Sequence, residues 1–106
     1  MVWIILFLAG MFEIAFAIGL KYTDGFTKLW PSVFTTISMI ISVILLSMAL
    51  RNMPIGTAYS VWTGIGTIGT VVFGIVFFSE PANMLRIIFI VMIIVGIVGL
   101  KFAAGD

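Results

Sequence analysis

Four apolar runs divide the chain, each bounded by polar or turn-forming residues. The first covers residues 2–20 and stops at Lys21-Tyr22-Thr23-Asp24-Gly25. The second covers 31–50 and stops at Arg51-Asn52-Met53-Pro54. The third covers 55–78, before Ser79-Glu80-Pro81-Ala82-Asn83, and the fourth covers 85–103. A bilayer core about 30 Å thick is crossed by a helix of about 20 apolar residues, so each run is predicted to be one transmembrane helix. Barrel strands would alternate apolar and polar over about ten residues, and none of these runs does. Pro31 falls in the first turn of its helix, and Pro54 and Pro81 lie in connections, so no proline interrupts a span. The first run lacks a basic start and carries an acid in its middle. It therefore reads as a span rather than a signal peptide. The expected fold is all-α, a single transmembrane domain over residues 1–106.

Composition agrees with this pattern. Of 106 residues, 63% are hydrophobic and 8% charged, against roughly 45–50% and about 25% for soluble domains. Four crossings use about 80 residues, which leaves no room for a soluble domain. The net charge of +1 gives no reason to expect nucleic acid as a partner. With no Cys and no His, disulfides, thiol nucleophiles, imidazole bases and zinc sites are excluded. No metal or other cofactor is expected, and intramembrane hydrolysis has no base to use.

Charge in the connections bears on orientation. With four spans both termini share a side, together with Arg51 and Lys101, while Lys21, Lys28 and Arg86 lie on the other. Orientation is normally set by a clear Lys/Arg excess in the cytoplasmic loops. Here the N-terminal amine brings the tally almost level. The chain is therefore expected to insert both ways, and two copies can then pair antiparallel. Such a pair reproduces the inverted repeats that larger transporters carry within one chain.

Of the four acids, Asp24, Glu80 and Asp106 fall in connections or the tail, and Glu13 falls inside the first span. At a rise of about 1.5 Å per residue, Glu13 lies within about 3 Å of that helix's centre. Intramembrane acids are costly and mark ion, proton or substrate paths. All five Lys/Arg residues are near span ends, so none neutralises Glu13 at its depth. Loss of water disfavours the charged carboxyl unless a cation stands beside it. Proton and cation thus compete for one group, and that competition with alternating access gives antiport.

Other polar positions could surround Glu13. On the second helix Thr35, Ser38 and Ser42 share a face. Ser42 lies near mid-span, where its hydroxyl could bond the Glu13 carboxylate, although such hydroxyls also bond their own helix. On the third helix Tyr59, Trp62 and Gly66 share a face, giving aromatic surfaces that attract cations. Trp3 and Trp30, at span ends, read as interfacial belt residues. Gly64, Gly66 and Gly69 allow either a bend or close packing. Gly96 and Gly99, the only interruptions of the apolar run between Arg86 and Lys101, mark that helix as a dimerisation element.

The stretches Ala9-Gly10-Met11-Phe12-Glu13, Gly19 to Thr27, Pro54 to Gly66 and Gly96 to Lys101 resemble the small multidrug resistance family of bacterial proton-coupled exporters. Within it, the guanidinium-exporter branch is the most similar. The resemblance runs essentially end to end. It implies a multi-pass protein of the bacterial inner membrane and an antiparallel, dual-topology homodimer. It also implies that two Glu13 carboxylates bind proton or substrate in turn, supported by Ser42, Tyr59 and Trp62. One position departs: the branch usually carries Trp one turn after the glutamate, and this chain has Phe16. Phenylalanine keeps an aromatic wall and loses the indole N–H, which implies a less firmly held Glu13 and relaxed selectivity. Some family members pair as heterodimers of two related chains, a pattern that the level charge tally disfavours here.

The expected function is proton-coupled export of guanidinium or a small substituted guanidinium. This planar cation donates N–H bonds in a fork that matches a carboxylate and stacks on aromatic faces. The alternative substrate class is quaternary ammonium and other hydrophobic cations, which need only aromatic walls. A passive channel is the alternative mechanism. A channel conducts without a proton gradient and survives Glu13→Gln. Antiport predicts that Glu13→Gln abolishes proton-coupled exchange in proteoliposomes and that Glu13→Asp shifts its pH dependence.

Overall fold

A computed structural model describes residues 1–103, and Asp106 lies outside the described residues. Four helices follow the four apolar runs: α1 (Val2–Tyr22), α2 (Leu29–Ala49), α3 (Ile55–Phe77) and α4 (Met84–Ala103). Each is long and apolar enough to cross a membrane. Their ends differ from the sequence-based bounds by one or two residues. α1 continues through Lys21 and Tyr22, because a lysine at a helix end can lay its stem along the apolar surface. α2 starts at Leu29, so Pro31 still falls in the first turn.

Small residues decide how the helices meet. Thr35, Ser38, Ser42, Leu46 and Ala49 form the buried stripe of α2, and this stripe packs along α1. The buried positions of α1 are Leu6, Ala9, Gly10 and Gly19. Gly19 admits the Thr35 hydroxyl where any Cβ would stand. α3 runs parallel to α1 and meets it through three glycine contacts. Ile65 sits on Gly10, Glu13 on Gly66 and Ile14 on Gly69. A residue larger than glycine at any of these positions would push α1 and α3 apart.

α4 leans mainly on α3, placing Ile93 and Ile97 against Gly64. None of its residues is buried, and Gly96 and Gly99 have open space where a side chain would stand. Asn83 caps its start, accepting a hydrogen bond from the Arg86 amide at 2.9 Å.

The apolar core of Leu6, Ala9, Leu46, Ala49, Met53, Ala58 and Val61 fills the half of the bundle near the α2–α3 connection. The other half, toward the α1–α2 and α3–α4 connections, is less filled between α1 and α3. The subunit measures 43 × 35 × 17 Å. Its short dimension is less than two helix diameters of about 10–12 Å. A layer this thin cannot surround a mid-membrane site on all sides.

Candidate functional site

Glu13 sits on the flank of α1 that faces α3, partly buried. The space for its carboxyl exists because Gly66 has no side chain: a Cβ there would collide with the carboxyl group itself. Its Oε2 is buried and has no hydrogen-bond partner among the described residues. The cations of the chain are engaged elsewhere or lie in the connections. The Lys21 ammonium stands 4.5 Å from the centre of the Phe78 ring, and that of Lys101 stands 5.5 Å from the Trp3 ring. The Arg86 guanidinium pairs with Glu80 at 3.5 Å. A buried carboxyl oxygen in this setting calls for a proton, water or a cation from outside.

Ser42, Trp62 and α1 form one connected set of hydrogen bonds. The Ser42 hydroxyl donates to the Ala9 carbonyl at 2.6 Å and accepts from the Trp62 indole N–H at 2.8 Å. The expected bond from Ser42 to Glu13 is therefore not made, since the single hydroxyl hydrogen goes to the backbone of α1. The consequence for Glu13 is indirect. Ala9 is the residue whose carbonyl the Glu13 amide reaches in a regular α-helix, so Ser42 and Trp62 brace the turn that carries the carboxyl. Losing such a buried bond leaves its partners unsatisfied, at a cost of about 1–3 kcal/mol.

The remaining sequence candidates divide by location. Tyr59 packs on Trp62 with ring centres 5.4 Å apart and planes tilted by 54°, but it is 56% exposed, near the start of α3. Phe16 is partly buried on α1, one turn beyond Glu13. Gly64 and Gly66 lie in an unbroken helix, and both serve close approach, Gly64 to Ile97 of α4 and Gly66 to Glu13. Gly96 and Gly99 lie away from this site, on the open face of α4.

Beside Glu13 a cavity of about 270 Å³ is lined by Glu13, Ala17, Gly66, Thr67, Thr70 and Val71. A second of about 130 Å³ adjoins it and reaches Lys21, Phe78 and Glu80. Thr67 and Thr70 are the lining residues that the sequence reading passed over. Their signal was available, because Thr63, Thr67 and Thr70 recur at helical spacing on α3.

Comparison with known proteins gives this arrangement a context. The family model described as Small Multidrug Resistance protein matches residues 1–93. The chain belongs to the small multidrug resistance family. It is accordingly a multi-pass membrane protein of a transporter family. This small multidrug resistance protein is 55% identical over 104 residues to a protein of Proteus vulgaris named Guanidinium exporter, which covers 98% of the chain and 100% of that relative. It is 50% identical over 103 residues to the protein of that name from Escherichia coli K12, covering 97% and 98%. It is 51% identical over 104 residues to the one from Yersinia pestis, covering 98% and 100%.

The close approach of Glu13 to α3 yields a direct prediction. Gly66→Ala places a methyl group where the carboxyl lies and should weaken binding of the transported cation roughly tenfold or more. Gly56→Ala, at a position with open space, should leave binding unchanged. Isothermal titration of both purified variants with guanidinium checks this.

Proposed function

We propose that this protein exports guanidinium, or a small substituted guanidinium, in exchange for protons. The observation that carries the reading is Glu13, a carboxyl at mid-span with an unpartnered oxygen beside a cavity of about 270 Å³. This far exceeds the roughly 10–15 Å³ that one water requires and leaves room for a cation of four heavy atoms. Support for the substrate comes from relatives named Guanidinium exporter that are 50–55% identical over nearly the whole chain.

In the proposed cycle, a guanidinium donates two N–H bonds to the carboxylate in fork geometry. Trp62 and Phe16 supply aromatic faces, and Ser42 keeps α1 in register with Trp62. Proton and guanidinium exclude one another because each satisfies the same carboxylate.

The working unit is an antiparallel homodimer. Three features support it: the 17 Å thickness of the subunit, the unburied α4 with Gly96 and Gly99 open on its face, and the level Lys/Arg tally. The two Glu13 carboxylates then titrate as a coupled pair, with apparent constants that belong to both. A bend at Gly64 and Gly66 is the proposed moving part, because these glycines lie where α3 touches both α4 and Glu13.

Competition fixes the sign of the pH dependence. If a proton must leave before the cation binds, guanidinium binds more tightly as pH rises, by up to about tenfold per pH unit for each proton displaced. Titrations at several pH values, with tetraethylammonium run beside guanidinium, test both parts. The expected result is tighter guanidinium binding at higher pH and weak tetraethylammonium binding. A pH-independent affinity would remove the exchange mechanism. A preference for tetraethylammonium would replace the substrate with the quaternary ammonium class.

A further inference from the structure

The cavity beside Glu13 takes its polar lining from Glu13, Thr67 and Thr70. These three are not equally available to a ligand. The Thr70 Oγ1 is fully buried and out of reach of anything in the cavity. Thr67 is exposed on the same wall. Its hydroxyl hydrogen is already committed, because Oγ1 donates to the Thr63 carbonyl one turn earlier at 2.8 Å.

A hydroxyl has one donor and two acceptor lone pairs. The bond to Thr63 uses the donor, so Thr67 offers the cavity acceptor capacity alone. An ionised Glu13 is likewise an acceptor only. Donors on the neighbouring turns are spent elsewhere: the Trp62 indole N–H goes to Ser42, and the Lys21 ammonium stands over the Phe78 ring. The reachable polar atoms of the cavity, among the described residues, therefore all ask for a donor.

A threonine bonded back to its own helix is also the ordinary state of a hydroxyl facing lipid. Two features set Thr67 apart from that state. It directly follows Gly66, against which the Glu13 carboxyl lies. It also lines the same cavity as the carboxyl, whereas the equally exposed Thr63 is not part of that lining.

Guanidinium is planar, with N–H donors around its whole edge. One carboxylate meets the donors on one side of that edge. The donors on the far side need a second acceptor, since an N–H shut away from water without a partner costs free energy. A quaternary ammonium has no N–H at all. It would strip water from the Thr67 lone pairs and return nothing to them.

We propose that Thr67 is a specificity-determining residue: its oxygen accepts from the guanidinium nitrogen that points away from Glu13. This assignment rests on the reading of Glu13 as the cation site. It adds a contact outside Ser42, Tyr59, Trp62 and Phe16, and it gives discrimination to an oxygen rather than to aromatic faces. A site built to bond a donor rejects the analogue that lacks it, because its own polar atom is then left unpaired.

N,N-dimethylguanidinium makes the test specific. It keeps two unsubstituted nitrogens for the carboxylate and carries methyl groups in place of the donors on the third. The purified full-length protein, Thr67→Val and Thr67→Ser are each titrated calorimetrically with guanidinium, N,N-dimethylguanidinium and tetraethylammonium. Valine has nearly the shape of threonine and lacks the oxygen. The helix keeps its ladder in this variant, because the Thr63 carbonyl also accepts from the residue 67 amide in a regular α-helix.

Thr67→Val should bind guanidinium about tenfold more weakly and the other two cations within about twofold of the unaltered protein. The preference for guanidinium over its dimethyl analogue then falls by about the same tenfold factor, and this double difference isolates the Thr67 bond. Thr67→Ser, which keeps the oxygen, should bind guanidinium within about threefold of the unaltered protein. Guanidinium binding that Thr67→Val leaves unchanged overturns the proposal. An equal loss for all three cations also overturns it, because that reports a reshaped cavity rather than a lost acceptor. Either result leaves the reading of Glu13 standing. Failure of the unaltered protein to bind guanidinium removes both.

Discussion

A carboxyl group in the middle of a membrane needs a surface that leaves it both shielded from lipid and reachable from outside. In this protein α3 provides that surface by omission. Gly66 has no side chain, so the Glu13 carboxyl fills the space that a Cβ would take. Gly10 and Gly69 do the same on either side for Ile65 and Ile14. The distance between α1 and α3 is thereby set by the absence of side chains at three consecutive contacts. The position of Glu13 and the cavity beside it both follow from that spacing.

The remaining polar groups serve to hold this spacing rather than to touch the carboxyl. The Ser42 hydroxyl ties α2 to the backbone of α1, and Trp62 ties α3 to Ser42. Three helices are thus cross-linked one turn before Glu13. On the proposed function, this bracing keeps the carboxyl oriented while the open side admits proton or cation. The thinness of the subunit leaves one side of the site without a wall of its own, which is the physical reason for proposing a dimer.

Most of the fold was legible in the sequence. Hydropathy alone separates four spans, because nothing but an apolar helix satisfies its backbone in lipid. The family pattern around Glu13 and from Pro54 to Gly66 was equally clear, as was the isolation of Glu13 from every lysine and arginine. What could not be read was the choice each polar group makes among available partners. Ser42 had the carboxylate, its own helix and the neighbouring helix as options, and only the packing of α2 on α1 decides for the Ala9 carbonyl. Gly64 and Gly66 looked equally suited to a bend and to close approach, and their partners, Ile97 and Glu13, come from distant parts of the chain. Thr70 was passed over because a threonine in a lipid-facing helix ordinarily bonds back to its own backbone.

The central claim is that one carboxyl serves proton and cation in turn, and proton release on binding tests it most directly. Guanidinium added to the purified protein in a weakly buffered detergent solution, at a pH where the carboxyls hold protons, should release protons in step with binding. Glu13→Gln should release none. Guanidinium binding to the unaltered protein with no accompanying proton release would contradict the account.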